Sequence, residues 1–237
     1  MTLHAEWTKL RTSPGIPWLL LGVVVSTVAV SLTTAALTPA GDGADPVRIS
    51  LTGIQLGQAV VAVLAVLMIG GEYGTGMIRI TLAAVPRRTA VLTAKAVVLA
   101  GVVLVAAAIA VPASLVFSPL SLGDGPVLRA AGGSVLYLAL IALLSLGIGT
   151  AVRNAAAAVG TVLGLLFVFP LLIPAVSDPD WQRLLKQIGP TTAGLAIQAT
   201  TGLDSLPISP WRGLAVLAAW AAAALLAGGL VFRLRDA

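Results

Sequence analysis

The 237-residue chain has no cysteine and one histidine, His4. Without thiols there are no disulfides and no iron–sulfur ligation. With one histidine, no histidine-based metal cluster or Ser-His-Asp triad can be assembled. Charge is also scarce. Asp, Glu, Lys and Arg make up 10% of the residues, against about 25% in an ordinary soluble domain. No Gly-x4-Gly-Lys-Ser/Thr loop occurs, so the chain lacks the Walker means of cradling a nucleotide phosphate. Intramembrane protease and haem-binding readings fail for the same want of catalytic groups and ligands.

What is present is apolar: 58% of the residues are hydrophobic. That composition points to an integral membrane protein, and its even spread points to one membrane domain over residues 1–237. A helix needs about 20 mostly apolar residues to cross the hydrocarbon core. Six stretches meet this test, at approximately 16–38, 49–70, 96–117, 130–152, 155–176 and 213–232, and none contains Asp, Glu, Lys or Arg. They lack the alternation of a membrane barrel. The expected fold is therefore all-α and polytopic, with six transmembrane helices. The first stretch follows Lys9 and Arg11 and imitates a signal peptide, but its length and the five stretches after it read as a retained helix. A proton- or sodium-coupled carrier commonly places an ionisable residue inside a span; these stretches have none, which disfavours a secondary carrier.

Six spans put both termini on one side. The loops on that side hold Lys9, Arg11, Arg79, Arg87, Arg88, Lys95, Arg153, Arg233 and Arg235, nine basic residues. The opposite loops hold five: Arg48, Arg129, Arg183, Lys186 and Arg212. By the positive-inside rule the termini are cytoplasmic. The net charge of +5 thus reflects orientation, with no nucleic-acid partner required. Abundant Ala, Val and Leu, and Arg in excess of Lys, fit a GC-rich bacterium, hence a multi-pass protein of the bacterial inner membrane.

Smaller features mark the ends of the spans. Glu6, Trp7, Lys9, Leu10 and Arg11 fit a short amphipathic helix lying in the interface before span one. Gly53-x-x-x-Gly57 and Gly160-x-x-x-Gly164 allow close helix approach, read here as packing within the chain. Gln55 and Gln58 are strongly polar side chains inside a span, which either line a substrate path or hydrogen-bond a neighbouring helix. Pro170 and Pro174 should bend the outer part of span five, since each removes a helical donor. In the long loop 177–210, Trp181, Leu184, Leu185 and Ile188 recur at helical spacing. The apolar stretch after them is too short to cross, so short helices are expected in the outer leaflet.

The densest charge lies in segment 71–95, "GEYGTGMIRITLAAVPRRTAVLTAK". The pattern Glu72-Tyr73-x-x-Gly76-Met77-Ile78-Arg79-x-Thr81-Leu82, followed by Pro86-Arg87-Arg88 and Lys95, resembles the cytoplasmic segment of ABC-2 type permeases, the membrane subunits of ATP-binding-cassette exporters. The stretch from Glu6 to Arg11 is similar to the interfacial helix of that family, and six spans with short outer helices between spans five and six match its layout. The resemblance implies a dimer, of this chain or with a related permease, working with a separate ATPase subunit that binds ATP and Mg. It implies no cofactor in this chain. It gives an ATPase-coupling role to Glu72, Tyr73, Gly76, Ile78, Arg79, Thr81, Leu82, Pro86, Arg87, Arg88 and Lys95. Glu72, Arg87 and Arg88 are expected at the water-screened membrane boundary, and a short helix capped by Thr75 or Gly76 and ending near Pro86 would dock on the partner. The substrate would be hydrophobic or amphipathic: a drug, antibiotic, lipid or peptide. The bland alternative for 71–95 is a basic loop that pins topology. The alternative for the whole chain is a non-transporting scaffold or immunity protein of the same fold.

Overall fold

The computed structural model describes residues 2–13, 15–38, 45–78, 88–116 and 124–234. Every regular element among them is helical, and six helices are long and apolar enough to cross a membrane. Helix α1 (Thr2–Thr12) leads into α2 (Gly15–Leu37), the first span. The second span is broken into α3 (Pro46–Ser50) and α4 (Ile54–Gly74). Spans three and four are α5 (Arg88–Ser114) and α6 (Gly125–Val152).

The fifth span changes its winding on the way. It starts as α7 (Ala155–Leu163), capped by the Asn154 side chain accepting from Ala157 N–H. It passes through a π-helical turn, Gly164–Val168, then α8 (Phe169–Leu172) and a 3-10 turn, Ile173–Ala175. Pro170 and Pro174 lie in the altered stretch, as expected of residues that cannot donate to the helical ladder. After it come α9 (Pro179–Ile188) and α10 (Pro190–Gly194), then 3-10 turns at Leu195–Gln198 and Leu203–Ser205. The sixth span is α11 (Pro210–Leu234).

The helices run past the apolar centres read from sequence. The second membrane-length stretch, Pro46–Gly74, takes in Arg48 and Glu72, and the third, Thr89–Ser114, takes in Lys95. The charge-free stretches read from sequence are thus the middles of longer helices whose ends carry charge.

Spans two and four form the centre. In each, 61% of the apolar window is buried, against 17–33% in the other four. Helix α6 packs against α4, α5 and α11, and α2 lies against α4 and α5. Small residues set these distances. At the break in span two, a Cβ on Gly53 would lie 1.9 Å from Thr27 O, and one on Gly57 would lie 2.2 Å from Thr27 Oγ1. The Gly53 N–H freed by the break donates to Ser31 Oγ at 3.1 Å. The first Gly-x-x-x-Gly therefore packs within the chain, as expected. The second does not: a Cβ on Gly160 or Gly164 would meet nothing within 4 Å among the described residues.

Helix α9 carries Trp181, Leu184 and Ile188 exposed, an apolar face fit for an interface. The stretch after it turns back into the bundle. Ile197 fills the gap at Gly133, Tyr137 packs at Gly194, and Ala193 packs at Gly213. Asp45 ties this outer structure to span two. Its carboxylate accepts from Arg48 N–H and Thr201 N–H at 3.1 Å each, from Thr200 N–H at 2.5 Å and from Thr200 Oγ1 at 2.7 Å. Burial alone would raise the Asp45 pKa, but these donors outweigh it and hold the carboxyl below its usual 3.8. A carboxyl lowered on folding contributes stability above its unfolded pKa and loses it as pH falls through the folded value. Protection of the Thr200 and Thr201 amides from hydrogen exchange, corrected for intrinsic rate, should therefore hold at neutral pH and fall below about pH 4. Asp45→Ala should remove it at every pH.

Candidate functional site

At the end of the bundle where spans two and three meet α1, four charged side chains close into an alternating ring. Helical spacing places Glu6, Lys9 and Leu10 on one face of α1, while Trp7 and Arg11 stay exposed. Lys95 Nζ donates to Glu6 Oε2 and to Glu72 Oε1, both at 2.7 Å. Lys9 Nζ donates to Glu6 Oε1 at 3.2 Å and Glu72 Oε1 at 3.0 Å. Lys95 is 1% exposed, Glu6 4% and Glu72 7%. The expectation that Glu72 sits screened by water is therefore corrected. Two carboxylates and the Lys95 ammonium are buried together, and the partly exposed Lys9 completes a ring of no net charge.

That arrangement follows from what burial does to ions. A lone charge taken out of water costs several kcal/mol, so a buried charge persists only with a partner and hydrogen bonds. Burial alone would depress the Lys9 pKa, but the carboxylates of Glu72 and Glu6 raise it above the usual lysine value. Glu72 Oε2 is buried and has no hydrogen-bond partner among the described residues. Beside the ring a cavity of about 430 Å³ runs between α1, α2 and α4, walled by Ile16, Leu19, Leu64 and Met68.

The ring encloses the base of segment 71–95. Glu72 stands where the segment leaves span two and Lys95 where it enters span three. Helix α4 ends at Gly74, with Thr75 as its C-cap, and Gly76 turns the chain at φ +70°, a conformation open to glycine. Thr75 and Gly76 thus close α4, while the next residues, Met77 and Ile78, are helical and Ile78 is buried. Arg79, Thr81, Leu82, Pro86 and Arg87, with the Arg88 side chain, lie outside the described residues.

Tyr73 carries the connection onward to the loop between spans four and five. Its ring lies 5.6 Å from the Arg153 guanidinium, a cation–π distance. Arg153 holds the left-handed C-cap of α6 at φ 61°, and its Nη2 approaches Val231 O of span six at 3.4 Å. Sequence reasoning counted Arg153 only as a topology charge. The ring itself was missed because Glu6 and Lys95 are 89 residues apart. The one signal was a single lysine at the head of a long apolar run.

At the opposite end, Gln55 and Gln58 border a second cavity of about 780 Å³. Gln58 is 1% exposed and its Oε1 accepts a hydrogen bond from the Tyr137 hydroxyl of span four. It thus bonds a neighbouring helix, the second of the two sequence readings, and also lines a chamber.

Residues 2–176 match the profile of a family described as ABC-2 family transporter protein. A search among curated proteins finds no match. The matched stretch covers α1, the first five spans, segment 71–95 and all four members of the ion ring. Together with six membrane-length helices, it shows that the chain belongs to the ABC-2 family, the membrane component of a transport system.

Proposed function

We propose that this chain is the permease subunit of an ABC exporter, with segment 71–95 as the surface that receives force from a separate ATPase. The observation that carries this reading is the ion ring. It clamps both roots of the segment to each other and to α1, so a push on the segment would move the ends of spans two and three and α1 as one body. A loop that only pinned topology would need its basic residues alone, without Glu6, Glu72 and a buried Lys95. The protein works as a dimer, of this chain or with a related permease, and the partner ATPase binds ATP and Mg. Both termini and segment 71–95 face the cytoplasm of a bacterial cell. Residues 1–237 act as one transmembrane domain, and α1 lies in the interface with Trp7 and Arg11 outward.

Two experiments test this. The absence of native cysteine gives a clean background for labelling with an impermeant thiol reagent. Cysteines at Gly43, Asp124 and Ser205 should react from outside, and those at Thr75 and Asn154 should not. Labelling of Thr75 from outside would overturn the orientation and the coupling role together. In the second, Arg87→Ala/Arg88→Ala should reach the membrane in normal amount, since many basic residues remain to hold the topology. It should copurify poorly with the ATPase, because an interface can hang on a few anchors. Unchanged copurification and unchanged export would reduce the segment to a topology anchor.

A further inference from the structure

The second cavity sits where α3, the start of α4, the irregular part of span five and the outer helices come together. Its walls are apolar, with Leu166, Phe167, Pro170 and Leu171 contributed by span five. Its polar groups include two cations, Arg48 of α3 and Lys186 of α9, both exposed. No acidic side chain lines it among the described residues, and neither cation makes an ion pair among them. The carboxylate next in sequence, Asp45, is occupied by Thr200, Thr201 and the Arg48 backbone N–H. The guanidinium therefore has no competing anion within the described residues. The carboxamides of Gln55 and Gln58 also line it, and the Tyr137 hydroxyl holds Gln58 in place.

A chamber with cationic groups, amide dipoles and a long apolar wall complements one chemical class. We infer that this cavity takes a single-chain amphiphile with an anionic head: the head on Arg48 and Lys186, the chain along Phe167, Pro170 and Leu171. The volume of about 780 Å³ falls in the range of small-molecule pockets, about 300–1,000 Å³. Charge complementarity supplies the discrimination. A cationic head of the same size would meet two like charges, which costs binding and acts against the wrong partner. Arginine suits the role because its planar fork binds carboxylate or phosphate oxygens in pairs. The assignment rests on the permease reading and adds the substrate class.

The test measures binding by the purified chain in nanodiscs of zwitterionic phosphatidylcholine, with no ATPase present. The probes are 11-(dansylamino)undecanoic acid, its methyl ester and a trimethylammonium analogue with the same chain, and empty nanodiscs correct for partitioning. The acid should bind at least about tenfold more tightly than either other probe. Arg48→Lys/Lys186→Arg should keep that preference, Arg48→Gln/Lys186→Gln should abolish it, and Arg48→Glu/Lys186→Glu should turn it toward the ammonium. Both positions are exposed, so these variants should fold, and unchanged thermal unfolding confirms it. Equal binding of the three probes would overturn the assignment, as would a preference for the acid that survives charge reversal. Either result leaves the permease reading standing, since that is decided by copurification with the ATPase.

Discussion

Lys95→Met should deplete the protein from the membrane and lower its stability by about 3–5 kcal/mol, the usual cost of removing one partner from a buried ionic group. Lys95 is the innermost member of the ring, and both of its carboxylate partners are themselves buried. Without the ammonium, Glu6 and Glu72 face each other with only the partly exposed Lys9 between them. Methionine fills much of the same volume, so the loss would come from charge and not from a cavity. The control is Lys95→Met/Glu72→Gln, which leaves Glu6 with Lys9 as a balanced pair. If the ring acts through charge balance, the double variant should recover most of the lost abundance and unfolding temperature. Purified variants in nanodiscs, followed by thermal unfolding, give the comparison as a double-mutant cycle. Equal losses in the single and double variants would show that the site needs the lysine for packing alone. Glu72→Gln by itself should cost less than Lys95→Met, because Lys95 keeps Glu6. It should still accumulate less than the native chain, unlike a substitution at a water-screened surface charge.

This difference shows what the sequence could and could not reveal. The six spans were legible because bilayer thickness and the cost of burying charge act on every residue of an apolar run. The prolines of span five and the helical spacing of Trp181 to Ile188 were legible because those rules act within a few residues. The ring was not. Its pairs span 23 to 89 residues for Lys95 alone, and a lone Glu6 in a polar N-terminal stretch reads as an ordinary surface charge. The same holds for Asp45, which closes on Thr200 across 155 residues, and for the pairing of Gln58 with Tyr137. The two Gly-x-x-x-Gly patterns are identical in type. Yet one packs on Thr27, while a Cβ on either glycine of the other would meet nothing within 4 Å among the described residues, because the pattern licenses close approach without specifying a partner.

Gly147→Ala should be among the most damaging single methyl additions in the bundle. Helix α6 is one of the two central spans, and it packs tightly on α11 at Gly147 and Gly228. A Cβ on Gly147 would lie 2.4 Å from Ala224 C and 2.6 Å from Leu225 N, and one on Gly228 would lie 2.5 Å from Gly147 O. These obstacles are backbone atoms, which no rotamer change can clear, so the helices must part. Overpacking in a core typically costs about 1–3 kcal/mol, and a clash against backbone belongs at the upper end. Parting α6 from α11 would also disturb Arg153, which caps α6 and reaches Val231 on span six, and through it Tyr73 at the root of segment 71–95. Export should therefore fall with stability in Gly147→Ala. Gly160→Ala is the matched comparison: the same change, also inside a membrane helix, with nothing within 4 Å of the new methyl. Helix propensity favours alanine there by up to about 1 kcal/mol, so the isolated chain should unfold at the same temperature or slightly higher. If the Gly160–Gly164 face instead seats a second copy of the chain, Gly160→Leu should leave the monomer folded and shift the dimer toward monomer in nanodiscs. Equal unfolding temperatures for Gly147→Ala and the native protein would refute the α6–α11 seam as the element that fixes the helix spacing.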